Sequence, residues 1–264
     1  MKRIGLIALV AFTVFPFAWA LLASLRPEAE LFGGAGPRSV TFAHYRALFE
    51  ERAFWIPIRN SLFVAAATTL LCIAAGSTAA YALARLRFRG RNAILAFILA
   101  VTMFPQISIV SPLFLLLRSL RLIDTYPGLI LPYLTFAMPL TVWLLVGYFR
   151  QIPVELEEAA RIDGASRLGV FLRIVAPLAV PGMAATAILT FLYCWNEFLF
   201  ALAFTLTPER QTVPVAIALF RGRYEVPWGQ ILAAAMVTTA PVAALVLLAQ
   251  KRIVQGLTSG AVKG

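Results

Sequence analysis

Apolar residues fall in six long runs, and nearly every charge lies between them. The runs cover 4–25, 62–84, 93–117, 128–149, 183–206 and 230–250. Each is close to the twenty or so residues that an apolar helix needs to cross a bilayer. None holds a lysine or arginine well inside it, and the intervening segments are short except 26–61 and 150–182. The pattern predicts an all-α, polytopic membrane protein. It has six transmembrane helices in a single domain, 1–264, with a polar loop at 150–182 and a tail at 251–264.

The loop at 150–182 reads as two short helices meeting at an angle. Pro153 suits a first helical turn, where a missing N–H is no loss. Glu155, Glu157 and Glu158 then sit near the positive end of the helix dipole. Gly164 suits the left-handed turn that ends a helix, and Ser166 suits the N-cap of the next. Leu168, Phe171, Leu172 and Val175 repeat at helical spacing and predict one apolar face. Pro177 is expected to stop that second helix. The small residues Ala159, Ala160, Gly164 and Ala165 at the elbow let another surface come close.

The remaining segments carry fewer signals. The first run follows Lys2-Arg3 and includes Ala18-Trp19-Ala20, which resembles a signal-peptide cleavage site. Its apolar length exceeds that of a signal, so it is read as an uncleaved helix. In 26–61, Gly33, Gly34, Gly36 and Pro37 predict turns. Phe42 to Arg52 predicts a short surface helix, His44 is placed in a loop, and Asn60 is read as the N-cap of the second span. Pro105, Pro112, Pro132 and Pro139 interrupt the third and fourth runs. Such breaks either border a translocation path or only shape the bundle, and Gln106 beside Pro105 is a candidate cavity residue. Thr212 to Phe220 is apolar yet too short to span, and is expected at the surface.

Glu197 is the only ionisable residue well inside a run. A carboxylate there is costly in lipid and must face the bundle interior or water. It either lines a path, with Asn196 contacting a polar solute, or ties helices together by hydrogen bonds.

Composition narrows the function. Of 264 residues 61% are hydrophobic and 13% charged, which excludes a disordered chain and disfavours a soluble one. The net charge of +11 sits at the ends of the apolar runs, where it anchors helices and sets topology. No aromatic-interleaved basic patch supports nucleic-acid binding. Cys72 and Cys194 lie inside apolar runs and read as core residues. One histidine allows no zinc cluster and no histidine-based triad. No G-x-x-x-x-G-K-[ST] loop occurs and no nucleophile–base set appears, so the chain is read as no enzyme. With the N-terminus inside, thirteen basic residues lie on inner segments and ten on outer ones. Arg85, Arg87, Arg89 and Arg91 in one short loop decide that orientation.

Three stretches carry a family resemblance. Glu158-Ala159-Ala160, Gly164 after three intervening residues, then Ile174 and Pro177 resemble the coupling loop of bacterial ABC importer permeases, the binding-protein-dependent transport inner-membrane components. Ala176 departs from the leucine usual there. Trp195-Asn196-Glu197-Phe198 resembles the fifth span of carbohydrate-type permeases. Gly256-Leu257-Thr258, with Gly260 to Gly264 following, looks like the terminus of the smaller membrane subunit of maltose-type importers. Read without that likeness, the tail is a flexible, glycine-spaced basic segment.

The resemblance implies the type I ABC importer permease fold, in a bacterial inner membrane with both termini cytoplasmic. It implies that Glu158, Ala159, Ala160, Asp163, Gly164, Ile174 and Pro177 dock on a separate ATPase. The tail, with Gln255, Gly256 and Gly260, would enter the interface of an ATPase dimer that binds ATP and magnesium, leaving no cofactor and no metal in this chain. It further implies a second, homologous permease subunit, an extracytoplasmic solute-binding protein, and a sugar or sugar-like solute. The alternatives are an ABC permease for a non-sugar solute, an ion-coupled secondary transporter using Glu197, or a non-transporting assembly factor. No internal repeat supports the secondary transporter.

Overall fold

The computed structural model describes residues 2–31, 39–220 and 226–258. The turns expected at Gly33, Gly34, Gly36 and Pro37, and the tail residue Gly260, lie outside them. Twelve α-helices and no strand occur among the described residues. They are α1 (Lys2–Ser24), α2 (Ala43–Glu50), α3 (Trp55–Arg85), α4 (Arg91–Thr102), α5 (Ile107–Ser119), α6 (Tyr126–Phe149), α7 (Val154–Ile162), α8 (Arg167–Val170), α9 (Ala176–Trp195), α10 (Leu199–Phe204), α11 (Val213–Ala218) and α12 (Trp228–Thr258).

Five helical stretches are long and apolar enough to cross a membrane: α1, α3, α6, the continuous run from α8 through α9, and α12. The sixth span is the pair α4 and α5, bent by 94°. The third apolar run is therefore two helices rather than one. The bend falls at Met103–Gln106, where Pro105 offers no N–H to continue the ladder.

The bundle is centred on α3, α6 and α9, which pack on one another. Helix α12 lies against α9, α1 against α12, and α4 against α6. One apolar cluster, with Tyr133, Phe136, Trp195, Phe200 and Phe204, fills the end where α6 begins. A second, with Leu83, Leu145, Phe149, Phe171 and Val175, fills the end where α6 stops. Between them the Thr141 and Thr190 hydroxyls share a hydrogen bond of 2.8 Å, so a buried polar pair is satisfied within the core. Cys72 and Cys194 are free and buried, as expected. Most of α1 is exposed, with Phe12 and Phe15 on its surface, the condition of a helix whose solvent is hydrocarbon.

Several local expectations are corrected. Pro177 does not stop a helix. Residues Phe171–Val175 form a π-helical turn in which the Ala176 N–H reaches back to the Phe171 carbonyl, and Pro177 sits in the first turn of α9. The wide turn absorbs the proline's missing donor, so Arg167–Trp195 is one path. The fifth span thus begins inside the expected loop, and it breaks at Asn196–Phe198 before α10. The apolar face divides: Phe171 and Val175 are buried, while Leu168 and Leu172 are exposed. Asn60 caps no helix, because α3 starts at Trp55. His44 lies in α2 and is buried. Helix α11, at Val213–Ala218, buries Val213, Val215 and Ala216 rather than lying on the surface. The tail continues α12 as helix to Thr258, so Gln255 and Gly256 are helical.

Candidate functional site

Helix α7 and the turn after it are polar and mostly exposed, with Glu157 buried on the inner side. Pro153 precedes the helix as its cap residue, one position before the first helical turn. At the other end Gly164 has φ +85°, a conformation that costs an L-residue with a side chain about 1–2 kcal/mol. The Ala165 N–H bonds to the Ala160 carbonyl and the Gly164 N–H to that of Arg161, at 3.0 and 3.1 Å. These are the two bonds of a Schellman ending. Ser166 then caps α8, its hydroxyl accepting from Gly169 N–H at 3.1 Å. The elbow is built as its glycine and serine dictate.

The exposed face of this elbow holds Glu158, Ala159, Asp163 and Gly164, and Pro177 is exposed further on; Ala160 and Ile174 are half-buried. Ile162 is 86% exposed, and Leu168 and Leu172 further along the chain are also open. A polar helix ending in uncovered apolar side chains is suited to docking.

The inward face of α7 holds a residue that sequence reasoning left without a partner. Glu157 forms an ion pair with Arg85, the last residue of α3, at 2.6 Å, and both side chains are only 9% exposed. The other Glu157 oxygen accepts from the Tyr81 hydroxyl at 2.9 Å, and Arg85 also donates to the Ile152 carbonyl. The available signal was the helical spacing of Glu157 and Ala160, which places both on one side of α7.

The second feature is a groove bounded by α4, α6 and α9. Three adjoining hollows of about 480, 370 and 690 Å³ share the wall residues Trp143, Leu144, Leu140 and Tyr193. The largest brings Gln106, Asn196 and Glu197 to one wall, although 90 residues separate the first two in the chain. Gln106 donates from its amide to the Tyr193 hydroxyl at 2.5 Å. The aromatic side chains of Trp143 and Tyr193 in the same walls carried no polar signal in the sequence, being indistinguishable from core residues there.

Glu197 is 8% exposed. Its two oxygens accept from the N–H groups of Phe200 and Ala201, at 2.8 and 3.1 Å. The carboxylate thus satisfies the open amides of α10 where the fifth span breaks, as backbone removed from water requires. Asn196 donates to the Leu192 carbonyl at 2.8 Å and its side chain lies at the surface. Among the described residues no cluster of three or more His, Cys, Asp or Glu side chains has metal-binding geometry.

The chain is similar to known proteins along nearly its whole length. The chain is 45% identical to the trehalose transport system permease protein SugB of Mycobacterium tuberculosis, over 97% of this chain and 94% of that one. It is 41% identical to the trehalose/maltose transport system permease protein MalG of Thermococcus litoralis, over 99% and 95%. Its fold matches a chain of a bacterial ABC transporter involved in the import of the acidic polysaccharide alginate, with a TM-score of 0.78, 24% identity and coverage of 95% and 94%. The profile of binding-protein-dependent transport system inner membrane components matches residues 72–259, from the middle of α3 through the elbow and the groove to the end of α12. The chain, a multi-pass protein with the type I importer permease fold, belongs to that family of inner membrane components.

Proposed function

We propose that this chain is a permease subunit of an ATP-binding-cassette importer for a sugar or sugar-like solute. Relatives at 45% and 41% identity, which cover nearly the whole chain, are named for trehalose and for trehalose and maltose. Helix α7 and the Gly164 elbow receive an ATPase subunit, and the α4–α6–α9 groove is this subunit's share of the solute path. Glu158, Ala159, Asp163 and Gly164 meet the ATPase directly, while Ile174 and Pro177 carry its movement into α9. ATP and its magnesium are bound by that partner. A second, homologous permease closes the groove, and a solute-binding protein delivers cargo at the far end. The helical end of α12, with Gln255 and Gly256, contacts the ATPase.

The observation that carries this reading is the elbow itself: a capped polar helix with uncovered apolar residues at its tip, tied to three spans. Orientation follows from charge. Arg85, Arg87, Arg89 and Arg91 share the α7 end of the bundle, and a short arginine-rich loop favours the cytoplasmic side, where an ATPase resides. Both termini then face the cytoplasm.

The test is copurification. The tagged chain is solubilised gently from its native membrane, with and without Gly164→Pro. An ATPase and a second permease accompany the unaltered chain, and the variant loses the ATPase or hydrolyses ATP without transport. An unaltered chain that brings no ATPase overturns the reading. Binding of radiolabelled disaccharides to the copurified system's binding protein then checks the solute class.

A further inference from the structure

Helix α7 is joined by chain to two core helices only. It follows α6 through residues 150–153, and it leads into α9 through the Gly164 elbow and the π-helical turn. No covalent segment connects it to α3. Yet α3 packs along both α6 and α9, and its last turn is where Arg85 meets Glu157 at 2.6 Å.

The surroundings of this pair are apolar. The Tyr81 ring lies 5.0 Å from that of Phe171 and 6.3 Å from that of Phe149, centroid to centroid. Phe149 and Phe171 belong to the core at that end of the bundle. Tyr81 therefore packs on α6 and on the π-helical turn with its ring while its hydroxyl holds Glu157. Arg85 reaches the Ile152 carbonyl in the segment just before α7. Three side-chain contacts, all from α3, converge on α7 and its entry.

A pair this buried contributes little net stability, because desolvation offsets the attraction, and an apolar pair of similar volume would pack as well. Buried charges do fix register, since any sliding of one helix past the other strands a charge in an apolar site. Helix α3 is also the longest of the three central helices, at 31 residues or roughly 46 Å. At its opposite end Asn60 and Ser61 bond to the backbone of Glu209, Gln211 and Val213.

We propose that Arg85, Glu157 and Tyr81 form a clamp that makes α3 and α7 one rigid body. Displacement of α7 by the ATPase then reaches α3 directly, and through it the 209–213 loop at the far end. These three are positioning residues. The clamp deepens the importer reading and rests on it.

The test uses the whole reconstituted transporter. Spin labels are attached at Ala79→Cys on α3 and Glu155→Cys on α7, both exposed positions; the native cysteines are buried. With the clamp intact, the label-to-label distance is the same in nucleotide-free and ATP-trapped states. With Glu157→Gln it broadens or shifts on ATP binding. In the unlabelled Glu157→Gln transporter, solute moved per ATP hydrolysed falls about fivefold or more, the scale of a coupling free energy. The paired Arg85→Met, Glu157→Met variant guards against loss of folding, since it replaces both ions with apolar volume, and it shows the same broadening. A distance that changes with ATP while the clamp is intact, or unchanged solute-to-ATP ratios in both variants, overturns the proposal. Failure of any ATPase to copurify with the unaltered chain overturns instead the importer reading beneath it.

Discussion

The side-chain amide of Asn60 donates to the carbonyl of Gln211, 2.9 Å away, and to that of Glu209 at the same distance. A residue in the second turn of α3 thus holds a loop 150 positions further along the chain. Asn60 is fully buried, and its own oxygen accepts from the Tyr126 hydroxyl at 2.8 Å. Asn60→Ala leaves two loop carbonyls and a tyrosine hydroxyl short of partners. Its expected cost is about 1–3 kcal/mol of stability, read as a lower thermal midpoint of the detergent-solubilised protein.

Asp124 ties the same loop from the other side. Its carboxylate accepts from the Leu206 and Thr207 N–H groups and from the Thr207 hydroxyl, at 2.8, 3.1 and 2.7 Å. Partial burial opposes ionisation. The Thr207 hydroxyl, the two amides and the Arg210 charge outweigh it and hold the carboxyl below its ordinary value. A carboxyl depressed by folding stabilises above its unfolded value, and the contribution is lost as pH falls through the folded value. The stability advantage of the native protein over Asp124→Asn is therefore present at neutral pH and disappears below about pH 4, near the ordinary carboxylate range. A gap that stays constant across that window would contradict this.

Glu197 acts on the amides of Phe200 and Ala201. Glu197→Gln keeps an oxygen acceptor and is expected to fold and assemble. Glu197→Ala removes both acceptors and costs about 0.5–2 kcal/mol, the scale of a lost helix cap. Thermal unfolding of the two variants side by side measures the difference. Equal midpoints would remove the capping role.

Gly128 is required by space. A Cβ there would run into the Leu122 carbonyl, and backbone yields less readily than a flexible side chain. Gly128→Ala is expected to cost about 1–3 kcal/mol or more by overpacking, seen as a reduced yield of monodisperse protein. At Gly164 the opposite holds: nothing lies within 4 Å of an added Cβ, so Gly164→Ala pays only the conformational cost of about 1–2 kcal/mol and assembles. Gly164→Pro demands a negative φ that the elbow does not have, and it is the variant expected to separate ATP hydrolysis from transport.

The sequence by itself determined what is local. Apolar runs of spanning length mark the six spans, because the bilayer's thickness sets a length that composition alone can meet. Gly164 and Ser166 are legible because left-handed turns and helix caps each select few residue types. Pro177 misled because a proline's missing N–H breaks a helix only when no wider turn absorbs it, and the π-helical turn at Phe171–Val175 depends on how Phe171 and Val175 pack inside the bundle. Tertiary structure alone decided the pairings. Arg85 meets Glu157, Asn60 meets Gln211, and Gln106 comes beside Asn196 only after α3, α6 and α9 have packed. Their separations in the chain carry no periodic signal, and the partner of a buried polar group is set by what the folded core leaves within hydrogen-bonding reach.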